Sequence, residues 1–267
     1  MSTVQKICSV LDRHPIGLGS QELPRYAFGE FFRRTSYTLS EFSGRVAEYR
    51  KLQLALADLR NSCSHATSLD EVVGAARSNS IFRSDQKQAE IVSLLRILQK
   101  HPPHYVCEIG SASGGTLFLF AKVCSPDALI VSIDLGLTFE RSVVHSHIGN
   151  GQQQLVSIRA DSRAPGTICR VRSLLRGHKL DLLFIDGDHS YDGVKADFNN
   201  YSPLVREGGF TVFHDIVPDF RNQFGTPTEK DTGEVPRFWR EIKQHQKTTE
   251  IIEDGKQDGY GIGIVHM

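Results

Sequence analysis

From Tyr105 onward, short apolar runs rich in β-branched residues alternate with segments of helical spacing. The runs are Tyr105–Ile109, Leu129–Asp134, Leu155–Arg159, Leu180–Asp186 and Phe210–Asp215. Helical candidates such as Thr116–Val123 and Gly193–Ser202 separate these runs. Strands that alternate with helices at this spacing form a mostly parallel sheet with helices on both faces. The sequence therefore predicts an α/β fold.

The two ends of the chain have a different character. Apolar residues at spacings of three and four predict a helix from about Ser40 to Arg60, and polar Gly74–Ser84 is expected to be a loop. We expect residues 1–84 to form a helical N-terminal region. This region would act as a lid over a ligand pocket, make a homo-oligomer contact, or do both. Residues 85–267 would then form the main domain.

The C-terminal end predicts a different kind of strand pairing. Thr248–Glu253 and Tyr260–Val265 have strand character and are joined by a turn-rich loop. This pattern predicts an antiparallel hairpin at one edge of the sheet.

Composition limits the classes of partner. Lys+Arg and Asp+Glu number 31 each, which gives no support for nucleic acid or an anionic membrane as a partner. The chain has no run of about 20 apolar residues, and residues 1–19 lack the apolar stretch of a secretory signal. Its 5 cysteines include no C-x-x-C spacing, which favours a reducing compartment. We expect a soluble cytoplasmic protein that binds a small molecule.

Acidic residues end several of the predicted strands. Asp134 ends the second strand, Asp161-Ser162 follows the third, and Asp186 ends the fourth. The carboxyl ends of parallel strands meet at one edge of a sheet, where ligands bind. A carboxylate at Asp134 can accept hydrogen bonds from both ribose hydroxyls, and Asp161 can accept one from an adenine amino group.

A glycine-rich turn, Glu108-Ile-Gly-Ser-Ala-Ser-Gly-Gly-Thr116, joins the first strand to the first helix. It differs from the dinucleotide fingerprint G-x-G-x-x-G because Ala112 stands at the second glycine. Glycines allow the backbone to approach a ligand, and the following helix N-terminus offers free N–H donors. With the strand-end acids, this turn predicts a pocket for a nucleoside-containing cofactor.

Together these segments resemble the class I S-adenosylmethionine-dependent methyltransferases from about Asp85 to the C-terminus. The motifs that carry the resemblance are V-C-E-I-G-S-A-S-G-G-T, V-S-I-D, R-A-D-S, D-L-L-F-I-D-G-D-H-S-Y and L-V-R-E-G-G-F-T-V-F-H-D. The resemblance implies a Rossmann-like seven-stranded sheet with a reversed last strand and S-adenosylmethionine as cofactor. The cofactor-binding residues that it implies are Glu108, Gly110, Ser111, Gly114, Asp134, Asp161, Ser162 and Asp186. The segment before the first strand, with Gln86 and Gln88, often helps to close the pocket in this family.

The motifs D-L-L-F-I-D-G-D-H-S-Y and L-V-R-E-G-G-F-T-V-F-H-D resemble those of a narrower group. This group consists of the small-molecule and sugar O-methyltransferases related to macrocin O-methyltransferase and the cephalosporin-biosynthesis methyltransferases. This resemblance implies that Asp186 binds a divalent metal and that His189 is the general base. We group Asp188 with His189 as a catalytic residue and expect it to bind either substrate or metal. His214 and Asp215 occupy the position of the acidic pair that completes the metal site. His214 departs from that pattern: Mg²⁺ prefers oxygen ligands, whereas an imidazole favours Mn²⁺, Fe²⁺ or Zn²⁺. A metal-free site is the alternative.

The leading hypothesis is an O-methyltransferase that acts on a hydroxyl of a sugar, glycoside or other natural-product-like molecule. An imidazole that titrates near neutrality suits removal of the hydroxyl proton, and a divalent cation lowers the pKa of the alcohol. One alternative is a non-haem iron oxygenase, because His189, His214 and Asp186 can form a two-histidine, one-carboxylate face. Another is a cofactor-binding protein without turnover.

Asp197 is expected on a solvated helix face, and His145 has no predicted role.

Overall fold

The structure, a computed structural model, describes residues 39–267, with side chains described from Ser43 onward. The compact unit that contains the sheet spans Val46–Met267. Its helices, together with the helix that leads into it, are α1 (Leu39–Ser62), α2 (Leu69–Ser78), α3 (Gln88–Lys100), α4 (Gly115–Val123), α5 (Phe139–His145), α6 (Pro165–Leu175), α7 (Tyr191–Tyr201), α8 (Phe220–Phe224) and α9 (Val235–Ile242). The strands are β1 (Tyr105–Ile109), β2 (Leu129–Asp134), β3 (Gln154–Arg159), β4 (Leu180–Ile185), β5 (Val205–His214), β6 (Thr248–Ile251) and β7 (Ile262–His266).

The 7 strands form one sheet in the order β3-β2-β1-β4-β5-β7-β6. The first five in that order pair in parallel, while β7 is antiparallel to both β5 and β6. The Rossmann-like seven-stranded sheet and its antiparallel C-terminal strands are therefore confirmed. The strand order reverses between β1 and β4, and a crevice opens at such a point beyond the carboxyl ends of the strands.

Apolar layers cover both faces of the sheet. Along β1, Val106 belongs to the layer on one face and Cys107 to the layer on the other, as the two-residue period of a strand requires. Leu52 and Leu59 of α1 join the layer that contains Val106. The helix predicted from Ser40 to Arg60 is thus present, and its buried stripe packs in the same core as the sheet. The role of residues 1–84 as a lid or oligomer contact stays a prediction.

The loop predicted over Gly74–Ser84 is wrong for its first part, which belongs to α2. Ser68 caps this helix by accepting a hydrogen bond of 3.3 Å from the N–H of Glu71. Burial of Val73 and Ala76 supplies the apolar face that a 10-residue helix needs. The structure also adds α5 and α8, two short helices without a readable period. Along residues 39–267, every helix is too short or too polar to span a membrane.

Candidate active site

A cavity of about 720 Å³ lies at the carboxyl ends of the parallel strands. Asp134 and Asp161, which follow β2 and β3, line one part of it, and Asp186, His189 and Asp215, which follow β4 and β5, line another. The strand-end residues predicted to lie at one edge of the sheet therefore share a single cavity.

Gly110 is at the closest approach of two turns in this cavity wall. Its backbone has φ +85°, and a Cβ at this position would overlap the carbonyl group of Asp186. The turns after β1 and β4 are joined there by a hydrogen bond of 2.8 Å from the N–H of Asp186 to the carbonyl of Ile109. Glycine is therefore required at position 110 because the turns after β1 and β4 touch there, whether or not a ligand is also in contact.

The Asp134 carboxylate is fixed by the backbone around it. One oxygen accepts a hydrogen bond of 2.7 Å from the N–H of Ala112, and the other accepts one of 2.7 Å from the N–H of Gly136. Ala112, at the second glycine of the dinucleotide pattern, has φ +41°. Each carboxylate oxygen retains acceptor capacity for a further hydroxyl donor.

Arg163 joins two acids of the cavity wall. Its guanidinium lies 3.2 Å from Oδ1 of Asp161 and 3.0 Å from Oδ2 of Asp188. The backbone N–H and the side chain of Arg163 lower the pKa of Asp161. A hydrogen bond from the backbone of Ser190 lowers the pKa of Asp188. Within the described region no hydrogen bond links Asp188 to His189, so the structure does not join these two predicted catalytic side chains directly.

Ser162 contacts an acid that the sequence analysis misplaced. The expectation that Asp197 lies on a solvated helix face is wrong, because this residue is fully buried. Burial raises the pKa of Asp197 to about 6, although a hydrogen bond from Ser162 opposes the rise. Asp197 lies three residues after Val194 and four before Tyr201, so it falls on the buried stripe of α7. This spacing is the sequence signal that could have predicted the burial of Asp197.

Two carboxylates and two imidazoles meet beyond β4 and β5. His189 Nε2 lies 3.5 Å from Oδ1 of Asp186 and 3.6 Å from Oδ2 of Asp215. His214 Nδ1 lies 3.2 Å and 3.3 Å from the same two oxygens. The four residues that the motifs placed together are therefore in mutual contact.

The charges in this cluster are balanced. A hydrogen bond to Asp186 raises the pKa of His189 to about 9, against the effect of burial. Burial lowers the pKa of His214, but the charges of Asp186 and Asp215 outweigh burial and hold it well above its usual value. Burial likewise raises the pKa of Asp186, and the charge of His214 reverses that shift and lowers it. The two carboxylates therefore favour the protonated form of both imidazoles.

The segment 231–234 holds His189 in place. His189 Nδ1 donates a hydrogen bond of 2.6 Å to the carbonyl of Asp231, which leaves Nε2 facing the carboxylates. The carbonyl of His189 accepts a hydrogen bond of 2.7 Å from the N–H of Glu234. A Cβ at Gly233 would overlap the same carbonyl. The loop Val217–Val235, which contains this segment, is predicted from the sequence to shape the acceptor pocket, but its contacts with His189 are not, because two of them use backbone atoms.

Two further features surround the cluster. Gln86 is buried, its Nε2 donates a hydrogen bond of 3.0 Å to Oδ2 of Asp186, and its Oε1 accepts one of 2.9 Å from Thr116. Gln88, the other candidate, instead donates to the carbonyl of Asp70. Asp215 has φ +61°, a conformation that costs on the order of 1–3 kcal/mol outside glycine and is concentrated at functional sites.

Three residues of the glycine-rich turn, Glu108, Ser111 and Gly114, are not among the residues that line the cavity. Within residues 43–267, neither carboxylate oxygen of Glu108 and not the hydroxyl of Ser111 has a hydrogen-bond partner. Burial raises the pKa of Glu108 well above its usual value. The sequence analysis also missed His145, which is fully buried against Gly114 and whose pKa burial lowers to about 4.

Asp186, His189, His214 and Asp215 are called the histidine cluster below. This cluster has the donors of a metal site. Asp186, His189 and Asp215 each offer a ligand atom, and these atoms lie within 4.8 Å of one another. His214 Nδ1 touches the same carboxylate oxygens. Mixed carboxylate and imidazole donors suit Mn²⁺, Fe²⁺ or Zn²⁺ better than Mg²⁺.

Comparison with known proteins agrees with this architecture. Residues 107–216 match a family model described as a methyltransferase domain. This part of the chain, from β1 to just after β5, is therefore similar to a methyltransferase domain. The fold of this domain is also that of the O-methyltransferase TomG from Streptomyces achromogenes, which is involved in tomaymycin synthesis and was solved with S-adenosylmethionine. The TM-score is 0.50 at 17% sequence identity, over 79% of this chain and 96% of that one.

Two curated relatives of the methyltransferase domain are uncharacterized proteins. One, from Acanthamoeba polyphaga mimivirus, is 56% identical over 42 residues, which are 16% of this chain and 19% of the relative. The other, from Sinorhizobium fredii, is 25% identical over 122 residues, which are 42% of this chain and 13% of the relative. The chain thus spans less than a fifth of the length of the curated relatives that it matches.

Proposed function

We propose that this methyltransferase domain transfers a methyl group from S-adenosylmethionine to a hydroxyl of a small-molecule acceptor, in the class of sugars, glycosides and similar natural products. The observation that supports this proposal is one cavity that contains Asp134, at the end of β2, together with the histidine cluster at the ends of β4 and β5. A nucleoside-binding carboxylate and proton-accepting groups therefore face a common space.

The residues present fit S-adenosylmethionine. Asp134 has acceptor capacity for ribose hydroxyls, and Asp161 can accept a hydrogen bond from adenine. The buried carboxyl group of Glu108, at the start of the turn, has two unpartnered oxygens that could accept hydrogen bonds from an ammonium group. The cavity of about 720 Å³ is within the range of small-molecule sites. When bound, S-adenosylmethionine supplies an electrophilic methyl group on a sulfonium.

The acceptor hydroxyl loses its proton as its oxygen takes the methyl group, with S-adenosylhomocysteine as the leaving group, and we assign the neutral form of His189 as the base. Because its neighbours raise the pKa of His189 to about 9, this neutral form gains population as pH rises. The hydrogen bond to Asp231 fixes Nδ1 as the protonated nitrogen, so that Nε2 is the atom that exchanges a proton. Asp186 and Asp215 lie on both sides of this nitrogen and stabilise the imidazolium that forms. The assignment of Asp188 to the catalytic group has no contact with His189 to support it, and its ion pair with Arg163 favours a role in shaping the cavity wall.

A divalent cation fits the same cluster. Asp186, Asp215 and one imidazole, either His214 or His189, would hold it. Bound there, the cation would supply Lewis acidity that lowers the pKa of an alcohol. If His214 is the nitrogen ligand, His189 remains available as the base.

Two measurements test the proposal. Calorimetric titration of S-adenosylmethionine should show binding to the wild type and at least about tenfold weaker binding to Asp134→Ala, because two fixed acceptors are lost. Asp127→Ala is the control, since Asp127 is an exposed acid outside the cavity. Absence of binding to the wild type would contradict the proposal.

The second measurement is methyl transfer from labelled S-adenosylmethionine to a panel of glycosides. His189→Ala should lower the rate by about a hundredfold or more, whereas His178→Ala, an exposed control outside the cavity, should not. Full activity of His189→Ala would remove the base assignment. Binding of S-adenosylmethionine without methyl transfer to any acceptor would favour the alternative of a cofactor-binding protein without turnover. Oxygen consumption by an Fe²⁺-loaded sample would favour the alternative of a non-haem iron oxygenase.

A further inference from the structure

Lys230 is a cation of the cavity wall whose charge is not compensated. Arg83 pairs with Asp85, and Arg163 pairs with two acids. Within residues 43–267, the ammonium of Lys230 has no carboxylate partner within 4.0 Å; its contacts are with Tyr260. Lys230 therefore differs from the other cations of this cavity.

The Lys230 side chain is nevertheless held in place. Its ammonium lies 4.4 Å from the ring centroid of Tyr260 and donates a hydrogen bond to the hydroxyl of that residue. The stem of the side chain packs against Gly259, and the backbone N–H donates a hydrogen bond of 3.1 Å to Thr228 Oγ1. Immobilising a lysine has an entropic cost, and no ion pair offsets that cost here. Such preorganisation is what a ligand-binding cation requires.

Lys230 is connected to the histidine cluster by two routes. The ring of Tyr260 packs edge-on against His214, with 6.0 Å between ring centroids. Lys230 also precedes Asp231, whose carbonyl accepts the hydrogen bond from His189. The ammonium thus borders the part of the cavity where the acceptor hydroxyl would react.

We propose that Lys230, held by Tyr260, binds an anionic group of the methyl acceptor, either a carboxylate or a phosphate. This inference rests on the proposed function, because the ligand is the acceptor. The acids of this region do not oppose it: Asp186 and Asp215 are each in contact with two imidazoles, and exposed Glu229 and Asp231 are screened by water. One ammonium donor is used by Tyr260, and the remaining donors are available for charge-assisted hydrogen bonds.

Three probes that share most of their ring hydroxyls test the proposal: D-glucuronate, D-glucose 6-phosphate and D-glucose. Their binding is measured by calorimetry on protein saturated with S-adenosylhomocysteine, at low salt. We expect at least one anionic probe to bind about tenfold or more tightly than glucose. Which of the two does so identifies a carboxylate or a phosphate site.

Variants assign the preference to Lys230. Lys230→Gln keeps a donor for Tyr260 and removes the charge, so it should bring the anionic probe to within about twofold of glucose. Lys230→Arg should retain the preference for the anionic probe over glucose. This variant shows whether a loss in Lys230→Gln comes from the missing charge or from poor folding. Lys256→Gln removes an exposed lysine outside the cavity and should behave as the wild type.

Equal binding of the three probes to the wild type, including no binding of any, overturns the proposal, and so does a preference that survives Lys230→Gln. Failure of the proposed function has a different signature. Loss of S-adenosylmethionine binding would contradict the methyltransferase assignment, whereas methylation of neutral glycosides with no preference for anions would contradict only the role of Lys230.

Discussion

Ser162 Oγ donates a hydrogen bond of 2.6 Å to Oδ1 of Asp197. The carbonyl of Ser162 accepts a second hydrogen bond, of 2.7 Å, from the hydroxyl of Tyr201. Both partners lie on α7, so this helix holds the turn that follows β3 at the cavity wall. The second oxygen of Asp197 has no partner in the described part of the chain.

Replacing Asp197 by Asn should stabilise the protein at neutral pH and have less effect in acid. The folded pKa of about 6 lies above the ordinary value of 3.8 for an aspartate. Between these values the folded state binds more protons than the unfolded state, so the contribution of Asp197 to stability falls as pH rises through this window. The full effect is on the order of 3 kcal/mol. Urea unfolding at about pH 4.5 and about pH 7.5 measures it.

The control for this prediction is Asp192→Asn, an exposed acid of the same helix. A stability change in Asp197→Asn that is the same at both pH values would show that burial does not shift the titration of this carboxyl.

His145→Gln should make the protein less sensitive to acid. Burial lowers the folded pKa of His145 to about 4, below the ordinary value of 6.5 for a histidine. Between these values the unfolded state binds more protons, so the contribution of His145 to stability is present above pH 6.5 and is lost as pH falls toward 4. The loss is on the order of 3 kcal/mol. The difference in unfolding free energy between variant and wild type should therefore change over this window, whereas exposed His101→Gln should show no such change.

Gly110→Ala should destabilise the domain by on the order of 3 kcal/mol or more, because an added methyl group overlaps the carbonyl of Asp186 and φ is +85°. Gly166→Ala, in a helix with open space around the glycine, should be neutral or stabilising. Thermal unfolding of both variants gives the comparison. A Gly110→Ala protein as stable as the wild type would mean that the two turns can separate without cost.

Mn²⁺ should bind to protein treated with a chelator, and Asp215→Ala should abolish that binding, because a buried carboxylate ligand is lost. Calorimetric titration of Mn²⁺ into His189→Ala and His214→Ala identifies the imidazole ligand: the variant with the larger loss of affinity has lost it. Asp192→Ala serves as the control for removal of an acid. If the wild type shows no heat of binding, the metal-free alternative holds.

Much of the fold and part of the site were predictable because each depends on a local pattern. Strand runs that end in acids predict β2 and β4, and adjacent parallel strands bring Asp186 and Asp215 to one edge. Asp197 follows the spacing of a buried stripe, but an acid among apolar residues is usually assigned to solvent. His145 packs on Gly114 from a short helix with no period of its own. Such a contact depends on tertiary packing, which residue type does not encode.

If the proposed function holds, the attachment of His189 to segment 231–234 limits how the protein can acquire new acceptors. Two hydrogen bonds set the orientation of the imidazole: His189 Nδ1 donates to the carbonyl of Asp231, and the carbonyl of His189 accepts from the N–H of Glu234. A loop exchanged to admit a larger acceptor would also rotate the histidine. Specificity should therefore change more readily by substitution of outward side chains such as Lys230 than by insertion or deletion in this segment.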